Sequence, residues 1–411
     1  MKTQRLFDKD AYIKTEEVKV LSCKKSEREG YENYFEVITD STIFSPEGGG
    51  QKSDVGFFDD IEVKDVQEFD GEIIHFLSDE VKEGSSVKQS IDFDLRFKRM
   101  QNHNAEHLIC GLIHKRFGYE NVGFHLSETM DENGKVTHIE AIMDVNGPIS
   151  PEELSEIEKE ANKAISENVP IYALLPTPDE AKDIFYRSKL DISENLRLVI
   201  IEGYDSCACC APCLKSSSEI QLVKILDFMP HRGGMRLTLI AGLYAIEDYI
   251  GLHDENKKIM KMLSCERNAS SDAVSGMVTK CEAYHEETNS LKNQVVELFK
   301  EKLSNKLEGA DAKFEILFAP DLDEVQSRKL INETAARYEA LIGIMFSKNE
   351  NTYRFVVGKN EKLTDISLTD IAKKMRESLQ ARGGGSEQMI QGSVSASEEE
   401  IYKFFEETIN G

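Results

Sequence analysis

Two pairs of metal-ligand side chains, each with three residues between its members, constrain this chain more than any other feature. They are His103 and His107 in HNAEH, and Cys209 and Cys213 in CACCAPC. The first pair lies in LRFKRMQNHNAEHLICGLIHKRFG, where Met100, Leu108, Ile109, Leu112, Ile113 and Phe117 recur at helical spacing. A separation of four on a helix puts both imidazoles on one face. The second pair sits beside Pro212 among small residues that cannot continue a helix, so a loop presents the thiols. One zinc ion held by His103, His107, Cys209 and Cys213 has the tetrahedral ligand count. Such a site makes a helix and a loop about a hundred residues apart converge.

Each half also admits other arrangements. Two histidines on one helix serve as packing or surface residues as well, and Glu106 is not where an HExxH motif puts its general base. Cys207, Cys209, Cys210 and Cys213 could form a zinc knuckle alone, although such sites draw on two separated arms. His114 shares the face but lies about 10 Å along the axis, which suits a surface residue or an RNA contact.

At 411 residues the chain is long enough for two to four domains, each with its own core. A formal charge of −25 excludes non-specific coating of nucleic acid and attraction to anionic membranes. Any RNA contact is therefore local, at groups such as Lys98-Arg99, His114-Lys115-Arg116 or His231-Arg232. There is no signal-peptide core and no run of eighteen apolar residues, so no membrane partner and a cytoplasmic location are expected. In that reducing compartment eight cysteines, four of them in residues 207–213, read as metal chemistry rather than disulfides.

The pattern changes three times along the chain, which predicts an α+β multidomain protein. Residues 1–92 carry alternating stretches (YFEVIT, FFDDIEVKDVQEF, EIIHFL) broken by glycines and acidic turns, the mark of a small antiparallel barrel or sandwich. Residues 93–250 hold the histidine helix, the strand-like VTHIEAIMDV, and a helix after Ser150-Pro151. LRLVIIEGY, the cysteine loop, IQLVKILDF and RLTLIAGLYA follow. In residues 251–309, Met277, Cys281, Tyr284, Thr288, Leu291, Val295 and Leu298 alternate spacings of four and three, a heptad seam. Such a seam is expected to pair, as an antiparallel hairpin or as a homodimer. Residues 310–411 mix strand-like and helix-like runs around RGGGSEQMIQGS, predicting an α/β domain with a glycine-rich loop.

TIFSPEGGGQKSDVG, residues 42–56, places three consecutive glycines inside the β domain. Without side chains the backbone approaches a bound group closely and turns free N–H groups toward it. A bulged hairpin is the plain alternative. Glu47, Gln51 and Asp54 beside the glycines favour a polar binding edge.

TIFSPEGGGQKSDVG, HNAEH and CCAPCLKSSSEI together resemble the editing domain of alanyl-tRNA synthetase and the free-standing alanyl-tRNA editing proteins. Aligning on Glu219-Ile220 places Cys209 on the family's cysteine and Cys213 on its last histidine. GGMRLTLIAGLYA, with Arg236 and Gly242, is similar to the run that follows the family's zinc loop, and RGGGSEQMIQGS resembles the glycine-rich loop of the DHH-associated domain. The resemblance covers nearly the whole chain in the order β barrel, zinc-bearing α+β domain, coiled coil and α/β DHH-associated domain. No aminoacylation module stands before Met1, which points to a stand-alone editor.

The resemblance implies a zinc-dependent hydrolase that removes serine, and glycine with it, from mischarged alanine tRNA. Thr42, Gly49, Gly50, Gln51 and Arg236 are the expected substrate contacts, and Thr42 and Gln51 would touch the amino acid or its ribose ester. Cys213 departs from the family pattern: a second thiolate weakens zinc as a Lewis acid, and a fourth protein ligand closes its shell. The alternative is a non-catalytic tRNA-binding protein with a structural zinc.

Overall fold

The computed structural model describes residues 3–188, 196–308, 313–349 and 352–410. It divides into two compact units, residues 1–258 and residues 259–411. No described helix is long and apolar enough to cross a membrane.

The first unit begins with eight strands: β1 (Gln4–Arg5), β2 (Thr15–Lys25), β3 (Phe35–Thr39), β4 (Ser41–Thr42), β5 (Gly56–Phe58), β6 (Ile61–Phe69), β7 (Glu72–Leu77) and β8 (Ser86–Ile91). Six of them close into an antiparallel barrel in the order β2-β3-β7-β6-β5-β8, and β1 pairs in parallel with β4. Period-two alternation produces this shape. Val18, Val20, Val37, Val63, Val66, Ile73 and Val87 point inward and fill the barrel, while the charged residues between them face water.

Helix α1 (Phe93–Phe117) follows directly. It opens where the Asp92 carboxylate accepts the Leu95 N–H at 3.0 Å, and it closes at Gly118, whose φ of +70° turns the chain left-handed. Beyond it lie β9 (Asn121–Met130), β10 (Val136–Val145), α2 (Pro151–Ser166), β11 (Ile171–Leu174), β12 (Leu198–Ile201), β13 (Asp205–Ala208), β14 (Val223–His231), β15 (Gly234–Ala241) and α3 (Leu243–Leu263). The sheets run β14-β15-β10-β9 and β11-β12-β13, all antiparallel. Met100, Leu108, Ile109, Leu112 and Ile113 of α1 pack on Ile139, Ala141 and Met143 of β10 and on Leu237 and Leu239 of β15.

Every residue of α1 from Arg99 to Ile113 is buried, polar ones included. Buried amides must find partners, and these find the backbone of distant loops. Asn104 Oδ1 accepts the Leu214 N–H at 2.7 Å, Asn102 Oδ1 accepts the Ala241 N–H at 2.9 Å, and Gln101 Nε2 donates to Glu219 O at 2.8 Å. Near the start of the helix, fully buried Arg96 donates to Asp54, to Ala11 O at 3.0 Å and to Ile43 O. Arg99 donates to Ser53 O at 2.7 Å and pairs with Glu128, so it is not a free cation for RNA.

The second unit contains α4 (Ser270–Leu307), β16 (Phe314–Phe318), α5 (Glu324–Arg337), β17 (Leu341–Asn349), β18 (Thr352–Lys359), α6 (Leu368–Ser378), β19 (Arg382–Gly385), β20 (Met389–Ser395) and α7 (Glu398–Asn410). Its sheet order is β16-β17-β18-β20-β19, with only β16 and β17 parallel. The glycines expected as a loop form the edge strand β19 of a hairpin with β20. A side chain at Gly392 would come within 2.1 Å of Arg382 O, so the close pairing of these strands needs glycine there. The boundary expected at residues 309–310 lies outside the described residues.

The heptad seam falls on α4, a single 38-residue helix. Met277, Tyr284, Leu291 and Leu298 are 52%, 66%, 54% and 66% exposed. Burial begins one position over, at Val296, Leu303 and Leu307, which pack with Leu330, Ile331, Ile342 and Ile344.

Removing one partner of a buried ion pair strands the other charge, at a cost of about 3–5 kcal/mol. Arg96→Met is therefore expected to lower the unfolding free energy by about that amount in a denaturant titration.

Candidate metal centre

α1 brings His103 and His107 to one face with their rings stacked, 5.0 Å between centroids. The loop after β13 brings Cys209, whose Sγ lies 3.5 Å from His103 Nε2. One ligand atom from each of His103, His107 and Cys209 fits within 4.8 Å of the others. Helix and loop therefore converge, with Cys209 at the meeting point. The cause is visible in the anchors: Asn104 holds Leu214 at one end of the cysteine loop, and Arg197 Nη1 donates to Cys209 O and Ala211 O at 2.9 and 2.8 Å.

The donor chemistry suits a metal ion. Burial would raise the Cys209 thiol, but His103 and His107 beside it hold it well below the usual range, as a thiolate. Among the described residues, both ring nitrogens of His107 are buried without a hydrogen-bond partner. Nδ1 has Asp205 Oδ2 at 3.4 Å, and Asp205 is in turn gripped by Arg187 at 2.8 and 2.9 Å. Burial acts to lower the His107 pKa, yet Asp205, Cys207 and Cys209 together raise it. Two thiols and a carboxylate around an orphaned imidazole are surroundings that a divalent cation would neutralise. Soft sulfur with imidazole nitrogen suits zinc among the common ions.

Gln51 supports the site from the glycine segment. Its Oε1 accepts from His103 Nδ1 at 3.1 Å, which fixes the tautomer and leaves Nε2 facing Cys209. Gly49, with φ +61°, passes so close that a Cβ there would lie 3.8 Å from His103 and 3.9 Å from Cys209 Sγ. Gly50, with φ +80°, admits no Cβ at all, since Phe124 O would be 2.5 Å away. Its carbonyl accepts the Leu126 N–H at 2.7 Å and so fastens the glycine edge to β9.

A cavity of about 420 Å³ opens over these groups, lined by Gly49, Gly50, His103, His107, Phe124 and Cys209 among others. Glu106, Glu120, Asn121, Arg187, Arg197 and Cys207 supply most of its remaining polar wall.

Three expected site residues lie elsewhere. Cys213 is buried in the core with Arg197 Nη2 3.9 Å from its sulfur, and burial pushes its thiol up. It stands outside the His103–His107–Cys209 group. Thr42 is fully buried at the barrel end and donates to His75 Nε2 at 2.8 Å. Burial pushes that imidazole down to about 4, so it stays neutral and can accept. Arg236 pairs with Asp144 across β10 and β15 at 2.7 and 2.8 Å. His114 pairs with Glu120 at 3.0 Å and stacks on Phe185.

Asp205 and Arg187, Phe124 and Asn121 escaped the sequence reading. The last two sit on β9, whose alternation ends in the turn Asp131–Gly134 before the strand that was read; that turn was the available signal.

No family model matches the chain. It is 26% identical to the alanyl-tRNA editing protein AlaX-L of Pyrococcus horikoshii, across 97% of this chain and 96% of that protein. It is 29% identical to an alanine–tRNA ligase of Methanococcus maripaludis across 97% of this chain, and spans 43% of that ligase. An alanyl-tRNA editing protein of Xenopus laevis, Aarsd1-A, is 29% identical across 53% of each chain.

Two substitutions separate the cysteines. Cys209→Ser is expected to abolish zinc retention through gel filtration, while Cys213→Ser keeps about one zinc per chain by atomic absorption. Gln51→Ala should weaken zinc affinity about 10–100-fold in a chelator competition.

Proposed function

Because this chain is homologous along nearly its whole length to an alanyl-tRNA editing protein, we propose that it is a zinc-dependent hydrolase. Its substrate is alanine tRNA wrongly charged with serine or glycine. The observation that carries the reading is the thiolate–imidazole group set in the wall of a cavity that Gly49 and Gly50 also line. A purely structural zinc is enclosed by four protein ligands. Three ligands at the surface of a cavity are the arrangement of a catalytic site.

The chemistry of alanine makes such an enzyme necessary. A pocket built for alanine must reject glycine, one methyl smaller, and serine, one hydroxyl larger, and such differences supply only about 1–3 kcal/mol. A second sieve makes up the shortfall. A cavity of about 420 Å³ is in the range of small-ligand sites, enough for an aminoacyl group with part of its terminal adenosine.

His103, His107 and Cys209 would hold the zinc, and when bound it supplies a Lewis acid for the ester carbonyl and lowers the pKa of a water. The chain's own residues do the rest. Gln51 keeps the His103 proton on Nδ1, and Asp205, held by Arg187, faces His107 Nδ1. Gly49 leaves the space beside His103 and Cys209 that the aminoacyl group takes, Gly50 lets the glycine edge close on Phe124, and Phe124, tilted with its ring centroid 4.7 Å from that of His103, gives an apolar wall that keeps bulk water out. The exposed seam on α4 supports a homodimer in which two such helices bury Met277, Tyr284 and Leu291 against each other.

Purified protein is expected to release serine from serine-charged alanine tRNA, to release glycine as well, and to spare correctly charged tRNA. Chelation should stop the reaction, and His103→Ala should lose both zinc and activity. Full activity without metal would overturn the metal assignment. Hydrolysis of no charged tRNA above buffer would leave a tRNA-binding protein with a structural zinc. For the dimer, Tyr284→Glu with Leu291→Glu should halve the mass in sedimentation equilibrium and leave deacylation in place.

A further inference from the structure

Glu106, between the two histidines of HNAEH, is a cavity-lining carboxylate to which the reading above gives no role. It is 3% exposed. Its Oε1 accepts from Cys110 Sγ at 2.9 Å and from Asn121 Nδ2. Its Oε2 accepts no hydrogen bond among the described residues, and the nearest ionisable nitrogen is His107 Nδ1 at 3.9 Å. Neither arginine of the cavity wall serves it. Arg187 is taken by Asp205, and Arg197 by the carbonyls of Cys209 and Ala211 and by Asp8 at 3.2 Å. A carboxylate buried without a matched cation is costly, and it persists where a ligand brings the missing charge.

The deacylation reading, on which this inference rests, supplies such a ligand. An amino acid esterified to a ribose has lost its carboxylate and keeps its α-ammonium, which stands on the carbon next to the reacting carbonyl. We propose that Glu106 receives that ammonium through Oε2, with Asn121 holding the carboxylate in place through Oε1. Fixing the ammonium fixes the neighbouring carbonyl relative to His103, His107 and Cys209. It also makes the site selective for a free amino group, so that a peptide or an N-formylated amino acid on a tRNA is refused. Charge-assisted hydrogen bonds of this kind are strong enough to set such a preference.

The test compares seryl-tRNA with N-acetylseryl-tRNA, which carries the same ester without the positive charge. Wild-type protein is expected to favour the free amine by about 10–100-fold in kcat/KM, the worth of one hydrogen bond to a charged group. In Glu106→Gln, which keeps an acceptor for Asn121 and removes the charge, that preference should shrink to within about threefold, with zinc content and melting temperature unchanged. An equal loss on both substrates would make Glu106 a base or a structural residue and overturn the inference alone. So would a wild-type enzyme indifferent to acetylation. Failure of wild-type protein to cleave either ester overturns the deacylase reading and this inference with it.

Discussion

The buried pair between Arg96 and Asp54 is the contact on which the site depends. One guanidinium at the start of α1 ties together the N-terminal segment through Ala11, the end of the barrel through Ile43, and the glycine segment through Asp54. Asp54 also accepts the Ser45 N–H at 2.6 Å, so the whole stretch from Ser45 to Asp54 is folded around this one charge. A turn later Arg99 repeats the device on Ser53 O and Glu128. About one and two turns further along α1 stand His103 and His107. The glycine edge therefore meets the imidazoles at a fixed height because the same helix anchors both.

On its other sides α1 works by neutral amides. Gln101, Asn102 and Asn104 hold the backbone at Glu219, Ala241 and Leu214, and Asn104 sits beside His103, toward which Cys209 arrives on the loop it holds. A helix buried all round normally reads as apolar. This one is polar at its start and middle because its buried side chains are spoken for by loops from other parts of the chain. Each such amide leaves two groups unsatisfied if its partner shifts, which makes the loop positions specific as well as stable.

Much of this was legible in the residues. Period-two alternation pointed to a barrel or sandwich, helical spacing to α1, and the histidine pair with the cysteine loop to a ligand group, of which His103, His107 and Cys209 come together. What escaped followed from long-range contacts. Cys213 shares the three-residue spacing of the histidines, but spacing in a loop sets no direction, and here the sulfur turns into the core beside Arg197. Gln51 looked like a ligand contact because it is polar and follows three glycines, whereas its oxygen serves His103. Thr42 and Arg236 were read from resemblance, and their partners His75 and Asp144 lie 33 and 92 residues away in sequence. The periodic seam falls on α4, and Met277, Tyr284, Leu291 and Leu298 stand exposed along it because the packing of that helix begins at Val296, a residue off the seam.

The site is assembled from three stretches, residues 49–51, 103–107 and 209, that no local segment can bring together. A half-folded chain thus has neither the cavity nor the ligand set. For the deacylation proposed above, this ties the ligand group to the completed fold. A nascent or damaged copy would lack both the ligand group and the cavity beside it.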